Sequence, residues 1–349
     1  MSTGKKGAKE RISKHHLHTT KSSTCYDCLS PEVTMQYTRR DVAKFALAAL
    51  PAAKLLAKAN SKWGGVQIGI NAPYSFHNMP PGADDILKYL DQLGLNAVEL
   101  RSQPVESFLQ APVVPPPAGR GKPPLTPEQE AARKAAMEDL QKWRLALSVD
   151  KMKSFRKKYN DAGVLIEIVK IDGIDAMPDD VVDYCFTLAK ALGAKALSCE
   201  IPLSKTKRLG EFALKHKLMV GYHGHANVTS PEAFGRPESW ETAMSYSKYN
   251  GINLDIGHFI AGNNVSPVEF IKKHHDRITH VHIKDRKMQN GPNVPFGQGD
   301  TPIKEVLQLM KTEKYPFQGT IEFEYPVPAG SDVLTEIAKC VEYCKNALA

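Results

Sequence analysis

The residues best suited to chemistry in this 349-residue chain close five short apolar runs. These are Ser198-Cys199-Glu200, Tyr222-His223-Gly224-His225, Leu254-Asp255-Ile256-Gly257-His258, His280-Val281-His282-Ile283-Lys284-Asp285 and Glu322-Phe323-Glu324. Each puts a carboxylate or an imidazole at the end of a mainly apolar stretch. A charge there is costly unless an opposite charge or a metal ion compensates it. Any one of these groups alone reads as a satisfied structural side chain. Five in succession read as a converging set. Mixed imidazole and carboxylate donors suit one divalent cation, Mn2+ first, with Zn2+, Co2+ or Fe2+ as alternatives.

Such residues converge only if the runs are neighbouring strands. From residue 64 the chain alternates short β-type runs with helical stretches through eight rounds. The predicted strands are 66–70, 97–100, 164–171, 194–201, 218–223, 252–256, 278–284 and 320–324. They are rich in Val, Ile and Leu, as parallel strands buried on both faces are. Gly94, Gly163 and Gly193 mark helix-to-strand joints. Eight βα units predict an α/β fold, a single-domain (β/α)8 TIM barrel over residues 63–349. A doubly wound sheet is the rival, but the chain lacks its glycine-rich phosphate turn. The proline-rich insertion 104–126 reads as an extended loop at the strand-2 exit, followed by one long helix from Pro127 to about Tyr159.

Over residues 64–349 the chain resembles the xylose isomerase-like TIM-barrel superfamily, which includes sugar and sugar-phosphate isomerases and epimerases. The resemblance rests on Asp255-x-x-His258, on His280-x-His282-x-Lys284-Asp285 followed by Phe296-Gly297-Gln298-Gly299-Asp300, and on Glu322-x-Glu324. It implies a divalent metal held from strands 5 to 8, which falls on His223, Asp255, His282 and Glu324. His223 departs from the glutamate many relatives carry there, and Glu200 is the candidate for the missing carboxylate. The candidate catalytic residues are Glu324, Glu200, Lys284 and His258. Candidate substrate contacts are His225, His258, Lys170 and Glu322. Lys284 either steadies an enolate oxygen or pairs with Asp285 or a rim carboxylate.

On this reading a proton is removed beside a carbonyl through a metal-stabilised enediolate. Reprotonation makes the protein an isomerase or epimerase of a sugar or keto-sugar. Expulsion of a β-substituent makes it a lyase on 3-keto-glycosides or a dehydratase of a polyol ketone, an alternative that the strand-5 histidine strengthens. A non-catalytic carbohydrate-binding barrel is a third reading. The apurinic endonuclease branch needs further histidines on strands 2 and 3, where Arg101 and Lys170 stand.

Charge supports a small-molecule partner. The net +8 lies in residues 1–62, with 12 basic and 4 acidic residues; the other 34 basic and 34 acidic residues balance. A barrel without a basic excess argues against nucleic acid. No apolar run reaches the ~20 residues of a membrane span, and the chain is compatible with a homo-oligomer. Residues 1–62 read as a mostly disordered leader. Within it, Arg39-Arg40, the stretch Ala46 to Leu56 and Ala57-Lys58-Ala59 resemble a twin-arginine export signal, predicting a periplasmic protein. Lys54 interrupts the stretch and Met35 offers a second start, so a cytoplasmic location is the alternative. Cys25 and Cys28 form a lone C-x-x-C, while Cys185, Cys199, Cys340 and Cys344 read as free buried thiols.

Overall fold

The computed structural model describes residues 59–117 and 123–349. The twin-arginine segment and the Cys25/Cys28 pair lie outside the described residues. The expected barrel is present. Its eight parallel strands follow chain order: β1 (Val66–Ala72), β2 (Ala97–Arg101), β3 (Leu165–Lys170), β4 (Ala196–Cys199), β5 (Met219–His223), β6 (Asn250–Asp255), β7 (Ile278–Ile283) and β8 (Gln318–Ile321). Ile68, Gly69 and Ile70 pair with Gly319, Thr320 and Ile321, which joins β1 to β8 and closes the ring. A two-residue strand, Lys62–Trp63, folds back antiparallel on β1. Just before it, Ser61 is fully buried and its hydroxyl donates to Ile68 O at 2.6 Å.

Around the barrel lie α1 (Ala83–Leu93), α2 (Ser102–Phe108), α3 (Pro127–Ala146), α4 (Val149–Asp161), α5 (Asp179–Leu192), α6 (Thr206–His216), α7 (Pro237–Tyr246), α8 (Ile256–Asn263), α9 (Val268–His274), α10 (Ile303–Thr312) and α11 (Val333–Leu348). Their apolar stripes cover the outer strand faces. On α10 the stripe is Ile303, Val306, Leu307 and Met310, all buried at helical spacing. Each strand in turn sends alternate residues outward. On β7, Val281 and Ile283 join the hydrophobic core; His280 and His282 take the opposite face, toward the barrel axis. Cys185, Cys199, Cys340 and Cys344 are buried and unpaired, as expected.

Two expectations about the β2–β3 insertion need correction. Its start is helical, not extended: α2 contains Pro104 at its third position. There the missing N–H is one of the donors a first turn leaves free anyway. The long helix after it is two. It breaks at Leu147, whose backbone is extended, and Ser148 caps the restart by accepting from Lys151 N. The Arg144 guanidinium grips both oxygens of buried Glu106, at 2.8 and 3.0 Å, tying α3 to α2.

Candidate metal centre and active-site mouth

The C-terminal strand ends deliver four ligand-type side chains to one place. β5 ends on His223, in register with Asn253, and β6 ends on Asp255, in register with His282 of β7. Glu322 follows β8, its N–H bonded to Ile283 O at 3.1 Å. One donor atom from each of His223, Asp255, His282 and Glu322 lies within 4.8 Å of the others, and all four residues are buried.

Three of the four are oriented by a neighbour. His282 Nε2 lies 2.5 Å from Glu99 Oε2, so Nδ1 faces the centre, 3.2 Å from Glu322 Oε2 and 4.0 Å from Asp255 Oδ2. Asn71 donates to Glu322 Oε1 at 2.8 Å, which leaves Oε2 inward. Asp255 caps α8 by accepting the His258 N–H on Oδ1 at 2.7 Å, which leaves Oδ2 inward. The inward atoms Asp255 Oδ2, Glu322 Oε2 and His282 Nδ1, together with His223 Nδ1, are buried without a well-angled hydrogen bond, although Lys284 stands at ion-pair distance from both oxygens. Orphaned donors that converge in this way fit a divalent cation. Two imidazoles and two carboxylates are compatible with Mn2+, Zn2+, Co2+ or Fe2+.

Burial and charge set the protonation states. Burial, with His282 and Lys170 nearby, holds His223 well below its usual range, in the neutral form that ligates. Burial also pushes the Asp255 carboxyl up to about 6, against the pull of Lys284. For Glu322 burial is outweighed by Lys284 and His282, which hold it well below normal. His282 is opposed by burial, yet Glu322 and Glu99 push it up to about 10.

Lys284 does not pair with Asp285. Its ammonium lies 3.0 Å from Asp255 Oδ2, 2.8 Å from Glu322 Oε2 and 2.6 Å from Glu324 Oε2. Asp285 instead accepts the backbone N–H groups of Gly297, Gly299 and Thr301 at 2.7, 2.9 and 3.2 Å. A Cβ at Gly299 would collide with that carboxylate, which explains the glycine in the Phe296–Asp300 motif.

Two predicted metal ligands therefore sit outside the four-residue set. Glu324 is at the rim, with Tyr74 Oη donating to Oε1 at 2.5 Å and Asn293 donating to Oε2 at 3.2 Å. Strand alternation gives Glu322 and Glu324 one face, and Glu322 is the deeper of the two. Glu200 is bound by buried Lys170 and by His225 Nε2, the latter at 3.2 Å. Despite burial, His225, His223 and Lys170 hold its carboxyl far below the ordinary range. Beside it opens a cavity of about 290 Å³ lined by Glu200, His223, His225 and Phe234. His258 stands between the two sides, with Lys284 Nζ 3.0 Å from Nε2 and Arg286 Nη1 2.6 Å from Nδ1. Trp240 is a core residue, 1% exposed and donating to Tyr222 O. A larger cavity, about 400 Å³, lies at the strand starts between Glu167, Met219 and Phe317, away from the end where barrels place chemistry.

Glu99, Asn71 and Tyr74 are not among the residues singled out from the sequence. Glu99 had a signal, a lone charge inside the run Ala97–Leu100; Asn71 and Tyr74 had none.

Residues 202–344 match a family model described as xylose isomerase-like TIM barrel. Solved structures with the same fold include a probable 3-DHS dehydratase, AsbF, from Bacillus anthracis. It is 13% identical, with 79% of this chain and 98% of that chain covered, at a TM-score of 0.54. The 3-keto-D-glucoside 4-epimerase YcjR from E. coli is 10% identical, covers 80% and 99%, and has a TM-score of 0.53. A xylose isomerase domain protein from Planctomyces limnophilus is 14% identical, covers 82% and 98%, and has a TM-score of 0.52. At these identities the likeness is one of fold. No curated protein matches the sequence. The fold is a TIM barrel, and residues 202–344 carry the xylose isomerase-like match that the resemblance implied. No helix among the described residues is long and apolar enough to cross a membrane.

Proposed function

We propose that this protein is a divalent-metal-dependent isomerase or epimerase of a sugar or keto-sugar. The observation that carries the reading is the buried set His223, Asp255, His282 and Glu322, four donors facing one point at the catalytic end of the barrel. A cation there supplies Lewis acidity to substrate oxygens, making a neighbouring C–H acidic. The rest falls to side chains. Glu324, at the rim and oriented by Tyr74, is placed to take the proton. Lys284 sets a positive charge where negative charge develops. Across the mouth, His225 lines the cavity with Glu200 as its carboxylate partner and can return a proton. His258 and Lys170 complete the polar wall. The twin-arginine-like leader supports an exported enzyme, which favours an unphosphorylated substrate.

One observation favours the second reading, a lyase or dehydratase. Glu200 is held far below the ordinary range by its basic partners, so it is a poor base and the mouth lacks a symmetric glutamate pair. A single base at Glu324, with His225 assisting a leaving group, suits elimination.

The test is incubation of the Mn2+-loaded protein in deuterated water with free sugars, 3-keto-sugars and 3-keto-glycosides. Deuterium entering recovered substrate or an isomer or epimer supports the proposal. Release of the aglycone or of water selects the second reading. A metal-loaded protein that exchanges no carbon-bound proton and forms no product contradicts both.

A further inference from the structure

Lys284 is buried in the middle of the mouth, its side chain 2% exposed. An ammonium has three N–H bonds, and three carboxylate oxygens surround this one: Asp255 Oδ2, Glu322 Oε2 and Glu324 Oε2. Two of them, on Asp255 and Glu322, are the inward oxygens of the four-residue ligand set, since Oδ1 and Oε1 are taken by the His258 N–H and by Asn71. A dication and the ammonium would therefore share two anionic atoms, as like charges a few ångströms apart.

We propose that Lys284 is a resident counter-cation that a divalent metal displaces. Without metal it neutralises the three-carboxylate cluster. With metal it gives up Asp255 and Glu322 and keeps Glu324. The inference rests on reading the ligand set as a metal centre.

Three points support it. Buried carboxylates without a cation repel each other and lose hydration that nothing replaces, so a tethered ammonium lets the barrel fold before any metal arrives. Many metal sites lack this provision, and there binding and folding are one event. Second, Glu324 lies outside the ligand set, so the displaced ammonium retains a carboxylate partner. Third, His258 faces a donor at each ring nitrogen, Lys284 at 3.0 Å and Arg286 at 2.6 Å. A neutral imidazole accepts at one nitrogen only and a protonated one at neither. One contact is therefore donor against donor, and withdrawal of Lys284 relieves it.

The test compares the full chain with Lys284→Met, which keeps length and removes charge. Each is stripped by chelation and titrated with Mn2+ by calorimetry, with melting temperatures measured with and without metal. The variant should bind Mn2+ about tenfold more tightly or better. Without metal it should melt about 5 °C lower than the native chain, and Mn2+ should restore most of the loss. Equal or weaker Mn2+ affinity in the variant overturns the inference. Should Lys284→Met not fold even with Mn2+, Glu324→Gln decides, because it removes the partner that receives the ammonium. Its Mn2+ affinity should fall about threefold or more, and an unchanged or tighter affinity overturns the inference. Native protein that binds neither Mn2+ nor Zn2+ refutes the metal reading itself. Native binding unaltered by Lys284→Met removes only the exchange.

Discussion

Glu99 Oε2 lies 2.5 Å from His282 Nε2, beneath the mouth and with both side chains fully buried. His280 Nε2 approaches the other oxygen at 3.3 Å. Burial opposes the charge on Glu99, yet His282 and His280 hold its carboxyl well below normal. This carboxylate fixes which nitrogen of His282 is turned to the ligand set, the job that outer partners of metal-binding histidines perform.

Replacing Glu99 by Gln keeps shape but removes the charge and the strong acceptor. Mn2+ affinity should fall about 10- to 100-fold, with the barrel still folded by circular dichroism. Unchanged affinity would show that Glu99 only fills the core.

Metal uptake should depend on pH in a stated direction. With burial outweighed by Glu322 and Glu99, His282 is protonated up to about 10 in the metal-free chain, and a ligating imidazole must lose that proton. Affinity should rise about tenfold per pH unit between 6.5 and 8.5, with about one proton released per ion. Below about 6, Asp255 adds a second proton to displace. The stability linkage of the metal-free chain runs the other way. The folded pKa of His282 exceeds the ordinary 6.5, so its contribution is full below 6.5 and lost as pH rises toward about 10. Calorimetry in buffers of different ionisation heat checks the first part; a pH-independent affinity contradicts it.

Arg144→Met should destabilise the fold without touching the mouth. It leaves Glu106, 5% exposed, bonded only to Tyr184 Oη at 3.1 Å. Breaking a buried pair from one side costs about 3 kcal/mol. Denaturant unfolding reads this directly, and a loss under about 1 kcal/mol would mean that water reaches Glu106.

The eight strands were legible because each is a short apolar run in a regular βα alternation. The convergence of His223, Asp255 and His282 was legible because a charge at such a run's end stands out. Glu99 was harder, sitting within a strand rather than at its end. The choice between Glu322 and Glu324 depends on depth along one face, which a period of two does not encode. Pro104 and the Ser148 restart were hidden for a similar reason. A proline reads as a breaker unless its place in a first turn is known, and a capping serine is inconspicuous inside a long charged run.

Residues 1–58 should be dispensable for folding, since among the described residues the first anchoring bonds of the barrel belong to Ser61. Deleting residues 1–58 should leave the melting temperature within about 2 °C. A loss beyond about 5 °C would make the leader part of the fold.

The most direct test of the metal centre is anomalous X-ray scattering from crystals grown with Mn2+. The account predicts one peak per barrel, about 2.0–2.3 Å from donor atoms of His223, Asp255, His282 and Glu322, with the Lys284 ammonium withdrawn from Asp255 and Glu322. A peak elsewhere, or none while Lys284 still bridges the three carboxylates, would contradict it.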